Sequence, residues 1–374
     1  MAKYIIRRLF QAIPTFFGIT FISYLLLWAS PGSVADRLFF GPNIRGDVKA
    51  RLSAELGIND PFPIQYLRWL AGDDWMRRDT DGDGLADHAF LVDLEAPELD
   101  RSGKPVRDEE SGEIVMQRLP PGENRGILRG DFSRSFLKRQ PALNLITDSL
   151  PATLELGVAS LLFSLTIGIP VGVFSAITRG RLFDNSSRVM AVLLNAVPNF
   201  WLGLILILVF GSALGWLPMG GRCAPTLTGV CPSLQTRLHY LLLPMVVLSA
   251  TNVAIFSRFM RTSMLEVMNQ DYIRTARAKG LSNRQVFFKH ATRNALIPIA
   301  TLLGPIITGL WGGAIVTETI FSWPGVGRVA LQAVIQLDYP VVMAVVIFAS
   351  VGTILGFLLS DIMYAVIDPR IRME

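Results

Sequence analysis

The stretch Asp79-Thr-Asp81-Gly-Asp83-Gly84-Leu-Ala-Asp87 sets carboxylates at alternate positions with glycines between them. That spacing permits a tight turn that points several oxygens at one hard cation, calcium first among them. An EF-hand loop would carry a bidentate Glu at its twelfth position, where this chain has Phe90, so the pattern is not a complete EF-hand. The plainer reading is a solvated acidic turn, since Asp and Gly are ordinary turn residues. Four carboxylates so close repel one another unless a cation sits among them, and calcium on Asp79, Asp81, Asp83 and Asp87 is the expectation. Cys223 and Cys231 stand eight apart in a short Gly/Pro-rich loop. They bond if that loop faces an oxidising compartment and stay unpaired thiols if it does not. No CxxC pair or His/Cys cluster suggests zinc.

The other chemistry-bearing stretch is basic. It reads Asp271-Tyr-Ile-Arg-Thr-Ala-Arg-Ala-Lys-Gly280-Leu-Ser282, then Asn-Arg-Gln-Val-Phe-Phe-Lys-His290-Ala-Thr-Arg-Asn294-Ala-Leu-Ile-Pro298. Tyr272–Lys279 predicts a short helix, with Gly280 as the left-handed residue that ends it. Ser282 is placed to cap a second helix running through Phe287 and Phe288. Two short helices joined at a glycine form a rigid knob with apolar and basic sides, suited to a groove on a partner. A run of GxxxxGK followed by Ser or Thr, the phosphate-binding loop, is absent from the chain. His88, His239 and His290 lie outside the apolar segments described next, which argues against a proteolytic site inside a membrane.

These residues are carried by a largely apolar chain. Of 374 residues, 51% are hydrophobic and only 17% charged, against about 25% charged in soluble domains. Mean hydropathy is +0.42. Charge crowds into residues 31–150, whereas later stretches have almost none over some twenty residues, the length needed to cross a hydrocarbon core about 30 Å thick. Six segments qualify or nearly do: Leu9–Ala29, Ala152–Ile177 with Pro151 at its first turn, Val189–Leu214, Leu241–Phe256, Ala295–Val316 and Val341–Ile367. Pro170, Pro198, Pro244, Pro298 and Pro305 fall in or near them, a load that membrane helices tolerate because packed neighbours re-satisfy the freed carbonyls.

Loop charge sets orientation. Loop 179–188 carries Arg179, Arg181 and Arg188 against Asp184. Loop 257–294 carries eight Lys or Arg residues against Glu266 and Asp271, while the alternate loops 215–240 and 318–340 hold only Arg222, Arg237 and Arg328. Both termini are therefore expected in the cytoplasm. The formal net charge of +5 is accounted for by this asymmetry, and with no basic stripe interleaved with aromatics no nucleic-acid partner is expected.

The expected fold is an all-α membrane protein of six transmembrane helices with a mixed external insertion between the first and second. Residues 1–30 form the N-terminal segment and first helix, 31–150 an external region with an inserted subdomain at about 72–128, and 151–374 a five-helix core with a cytoplasmic loop at 257–294.

Ala276-Arg277-Ala278-Lys279-Gly280, His290 and Arg293-Asn294-Ala295-Leu296-Ile297-Pro298 resemble the EAA loop of the integral-membrane subunits of ATP-binding-cassette importers. They are most similar to the dipeptide, oligopeptide and nickel branch, where the run has the form ARAKG…H…RNALIP. Arg274-Thr275-Ala276 stands where importers at large have Glu-Ala-Ala, a departure in the direction of that branch. Supporting signatures occur in order along the chain: Tyr4 to Pro14, Leu56-Gly57…Pro63…Gln65-Tyr66, Gly130-Asp-Phe-Ser-Arg-Ser135 with Ser133 where glycine is usual, Leu150-Pro151-Ala-Thr153-Leu-Glu155, Glu318…Phe321-Ser-Trp323-Pro-Gly325-Val-Gly327, and Asp368-Pro369-Arg370-Ile371. The aspartate run resembles the DxDxDGxxD calcium repeats of extracellular proteins such as thrombospondins, with Asp87 completing the pattern.

The importer resemblance implies a multi-pass inner-membrane permease subunit for peptides. It is not itself an enzyme and has no cofactor of its own beyond the candidate calcium. Its implied partners are a second homologous permease subunit, two cytoplasmic ATPases that bind the ATP, an external substrate-binding protein and membrane lipid. The coupling residues it implies are Tyr272, Arg274, Ala276, Arg277, Ala278, Lys279, Gly280, Leu281 and Ser282, although Arg274, Arg277 and Lys279 would also serve as plain positive-inside residues. A permease of the same family for nickel or another small solute, or a channel or secondary transporter working without ATPases, are the alternatives.

Overall fold

A computed structural model describes residues 2–29, 61–72, 77–78, 88–89, 95–98, 105–108, 112–118, 125–224 and 234–367. The Asp79–Asp87 run, the Leu56-Gly57 part of the family signature, Cys231 and the Asp368–Ile371 signature lie outside the described residues. Two compact units divide the chain: Met1–Phe16 with Ile146–Gln332 and Ile347–Glu374, and Phe17–Leu145 with Ala333–Val346.

The first unit is helical. Among the described residues four helices are long and apolar enough to cross a membrane, or five if one sharply bent pair counts as a span. Helix α1 (Ala2–Trp28) runs without a break across Pro14, and its apolar window is almost wholly unburied within the chain. Such a helix needs apolar surroundings from outside its own fold. A short helix α2 (Phe62–Ala71) follows in the second unit.

Helix α3 (Ala142–Ile177) begins ten residues before the expected start, so Pro151 lies inside it and not at its first turn. Pro141 stands just ahead of the helix, and the Ala142 amide donates to the Ser133 carbonyl, fixing the start. The expected third span, Val189–Leu214, is instead two helices, α4 (Leu182–Ala196) and α5 (Asn199–Leu206) with its π-helical continuation Ile207–Ala213, bent by 101°. Val197 is extended, the conformation a following proline imposes, and Pro198 opens the second helix.

Helix α6 (Leu234–Met268) is much longer than the expected Leu241–Phe256 and takes His239 into its first turns. The expected fifth span, Ala295–Val316, is broken: α10 (Ile297–Gly309) has 13 residues, about 20 Å at 1.5 Å per residue. The chain turns at Leu310–Ala314, where Gly313 has φ +75, and resumes as α11 (Ile315–Ile320), α12 (Val326–Ile335) and α13 (Tyr339–Ile367). Between α6 and α10 lie the short helices α7 (Asp271–Ala278), α8 (Asn283–Gln285) and α9 (Thr292–Ala295).

α10 packs on α13 through small residues. A Cβ on Gly304 would collide with the Ser360 side chain, and one on Gly356 would lie 2.7 Å from Thr308. Glycine is what lets these two backbones approach, the membrane-helix use of small residues.

In the second unit Phe21, Tyr24, Phe62, Tyr66 and Trp69 stack in edge and tilted pairs with centroids 5.2–6.1 Å apart. The region after α2 holds two short antiparallel ladders: Arg77–Arg78 (β1) on His88–Ala89 (β2), and Glu95–Pro97 (β3) on Met116–Arg118 (β4).

Candidate functional site

The basic knob is a helix, a left-handed glycine and a capped turn. α7 ends at Ala278 with Lys279 as its cap, and Gly280 has φ +76 with its amide on the Arg277 carbonyl. Ser282 then caps α8: its Oγ accepts the Gln285 amide at 3.4 Å, and Gln285 Oε1 accepts the Ser282 amide at 3.2 Å. This reciprocal pair satisfies two donors that a helix start otherwise leaves open. The chain continues as a π-helical turn, Val286–Ala291, held in part by Thr292 Oγ1 donating to the Phe287 carbonyl.

One face of the knob is fixed and the other is free. Ile273 and Ala276, three apart on α7, are 0% and 7% exposed and join Val286, Ala291, Phe256, Met260 and Met264 in one apolar cluster. Burial of a side chain such as Ile273 or Val286 contributes roughly 1.5–3 kcal/mol, which anchors the knob to α6. Tyr272, Arg274, Arg277, Ala278, Lys279, Gly280 and Ser282 are exposed, and Leu281 is half-buried beside that cluster. Arg277 stacks over the Phe287 ring at 5.9 Å, and Arg274 reaches Asp271 at 3.3 Å. The structure thus brings the nine predicted coupling residues onto one element, with all but Ala276 and Leu281 exposed.

A buried ion pair fastens the neighbouring helices. Asp184, 1% exposed at the start of α4, receives Arg261 Nε at 2.6 Å and Nη2 at 2.9 Å from α6. Ser175 Oγ and the Gly180 amide donate to the same carboxylate at 2.7 and 2.9 Å. Every acceptor site is used, so the cost of burying the charge is offset. Sequence reasoning counted these residues only as loop charge; the clue was a lone acid among basic residues.

At the other end of α3 two sequence signatures meet. Glu318 on α11 is fully buried, and its carboxylate accepts the Thr153 hydroxyl (3.0 Å) and the amides of Ala314 (3.1 Å) and Arg328 (3.0 Å). Thr153 Oγ1 also accepts the Val326 amide at 2.8 Å, and buried Trp323 donates Nε1 to the Ala152 carbonyl at 2.8 Å. A Cβ on Gly325 would fall within 2.6 Å of both Glu318 oxygens, which explains a glycine there.

Glu155, two residues after Thr153 on α3, accepts both Nε (2.8 Å) and Nη2 of Arg222, with Arg237 Nη1 3.8 Å away. Cys223, next to Arg222, is disulfide-bonded. In the second unit Asp338 accepts the Ser135 hydroxyl and the Phe136 amide (3.1 Å), clasping the Gly130–Ser135 signature. Ser133 in that turn has φ +58.

A cavity of about 270 Å³ lies between α3, α6 and α10, lined by Thr153, Leu156, Ser160, Leu248, Asn252 and Pro305 among others. No group of three or more His, Cys, Asp or Glu suited to a metal occurs among the described residues.

The described residues thus form a helical body with four or five membrane-capable spans and a capped knob on a buried apolar footing. Residues 168–373 match the family of binding-protein-dependent transport system inner membrane components, and residues 1–91 match the N-terminal part of such membrane components. The chain belongs to this family, among the integral-membrane permeases of ATP-binding-cassette importers, in the peptide branch. It is 36% identical over 373 residues to the oligopeptide transport system permease protein AppB of Bacillus subtilis, covering 100% of both chains. Identity to the dipeptide transport system permease protein DppB of Escherichia coli K12 is 33% over 390 residues, covering 100% of this chain and 99% of that one. A chain of the MetNI methionine ABC transporter, solved in inward-facing conformations, superposes with TM-score 0.48 at 19% identity over 60% of this chain and 97% of its own.

Proposed function

We propose that this permease carries di- or oligopeptides inward across the cell membrane as half of a pathway completed by a second homologous permease. Two cytoplasmic ATPases drive it and an external binding protein loads it. The observation that carries this reading is the knob: a rigid exposed surface at Tyr272–Ser282 whose buried side is continuous with α6. A partner that gripped the exposed side would move α6 with it as one body. ATP would be hydrolysed in that partner.

The proposed topology is six spans with both termini in the cytoplasm, counting the bent α4–α5 pair as one and α10 with the turn after it as another. The loop charges support it. Cys223 and Cys231 would close a loop on the external face. The 72–128 subdomain would hold calcium on Asp79, Asp81, Asp83 and Asp87; the pairing of Arg78 with His88, which brings the flanks of that run together, supports this.

The test is uptake of a labelled tripeptide into proteoliposomes holding both permeases, both ATPases and the loaded binding protein. The reading predicts accumulation that needs ATP and every subunit. Uptake without ATPases, or none with all components present, contradicts it.

A further inference from the structure

The cavity between α3, α6 and α10 contains an unsatisfied group. Ser160 is 2% exposed, and among the described residues its Oγ has no hydrogen-bond partner. Burying a hydroxyl without a partner is costly, more so in a membrane helix where no bulk water competes. Three other serines on these helices avoid the cost by bonding back to their own helix: Ser164 donates to the Leu161 carbonyl, Ser249 to Val246 and Ser257 to Ala254. Ser160 does not, and it lines the cavity.

Its position is equally specific. Ser160 falls near the midpoint of α3, and Asn252, which also lines the cavity, falls near the midpoint of α6. Polar groups at mid-depth are where membrane proteins place contacts for what they carry. Of the other lining residues, Leu156, Leu248, Pro305 and Leu310 are apolar, Thr153 already has its hydroxyl engaged by Glu318 and the Val326 amide, and none carries a charged side chain. Gly309 opens the space further, since a Cβ there would meet nothing within 4 Å.

We infer that this cavity is a mid-depth subsite for one peptide unit of the cargo, with the Ser160 hydroxyl and the Asn252 amide bonding a backbone amide and the apolar walls receiving a side chain. Neutral partners that both donate and accept match a peptide bond, which offers one N–H and one C=O, and they discriminate little between side chains. At about 270 Å³ the space is just below the range that holds drug-sized ligands, roughly 300 Å³ and above, so it takes a segment of a peptide at a time. The inference rests on the peptide-import reading.

The test uses the full transporter with its ATPases and with binding protein saturated by trialanine or by its backbone N-methylated analogue. Ser160→Ala is expected to slow trialanine uptake about 5-fold, the effect of one hydrogen bond, and to shrink the wild type's preference for trialanine over the analogue. Because the hydroxyl has no partner among the described residues, the same variant should melt at or above the wild-type temperature. Gly309→Leu, which fills the space without touching a polar group, should slow uptake of both peptides. Unchanged uptake in both variants, with wild-type import intact, overturns the subsite and leaves the import reading standing. A Ser160→Ala protein that melts lower and loses peptide-independent ATPase activity in step overturns it too, since the hydroxyl is then structural. Failure of the wild type to import either peptide removes the import reading itself.

Discussion

The Thr153 hydroxyl bonds Glu318 Oε1 at 3.0 Å while accepting the Val326 amide at 2.8 Å, tying two signatures that lie 165 residues apart. Thr153→Val would leave a buried amide unpaired and Glu318 short of a donor. Each such loss costs about 1–3 kcal/mol, so the melting temperature of the purified protein should fall by several degrees, and Thr153→Ser should restore most of it. Gly325→Ala should be worse, because the new methyl would sit within 2.6 Å of both carboxylate oxygens.

Asp184 and Arg261 form the second measurable pair. Removing one partner from a buried ion pair costs about 3–5 kcal/mol because the other charge is stranded. Asp184→Asn and Arg261→Met should each destabilise the protein strongly, and the double variant should be milder than either sum predicts. Thermal melts of the four proteins in a double-mutant cycle check this. Additive losses would show that the pair does not couple α4 to α6.

Ser133 should gain from becoming glycine. At φ +58 a residue with a Cβ carries a strain of about 1–2 kcal/mol, offset in part by the greater chain entropy glycine loses on folding. No hydrogen bond of the Ser133 side chain is forfeited, since it is the backbone amide that donates to Asp131 Oδ1. Ser133→Gly is expected to stabilise the protein by about 0.5–1 kcal/mol, read as a small rise in melting temperature.

How much of this was legible depended on range. Gly280 and Ser282 announced the knob because a helix stop and a capping box are decided within a few residues. Ser133 stands out only against the family resemblance, where glycine is usual. The start of α3 was hidden because Asp148 and Pro151 interrupt the apolar run, although the helix absorbs both. Pro198 reads in the sequence as one more proline tolerated within a span, and nothing beside it says that the chain turns there by 101°. Gly309, Gly312 and Gly313 fall inside one expected span; the helix stops at Gly309, and Gly313 takes a positive φ in the turn beyond it. Thr153 with Glu318, and Ser135 with Asp338, join residues about 165 and 200 positions apart. Periodicity and spacing carry no information at that distance. Lone acids in apolar or basic surroundings were the traces they left.

Calcium in the 72–128 subdomain is open to direct measurement. Calorimetric titration of calcium into the metal-stripped full chain should give uptake that disappears when Asp79, Asp81 and Asp83 are all replaced by Asn. No heat from the wild-type chain would leave the aspartate run a solvated turn.

The proposed seat of the ATPase is Tyr272–Ser282. Ala278 is exposed and small, so Ala278→Cys disturbs neither the buried anchors nor the Ser282 cap. In membranes containing the assembled transporter with single cysteines along the ATPase surface, Ala278→Cys is predicted to form a disulfide with an ATPase cysteine, and that bond should arrest peptide uptake until it is reduced. A transporter that imports peptide at the wild-type rate while Ala278→Cys cross-links to no ATPase position would contradict it.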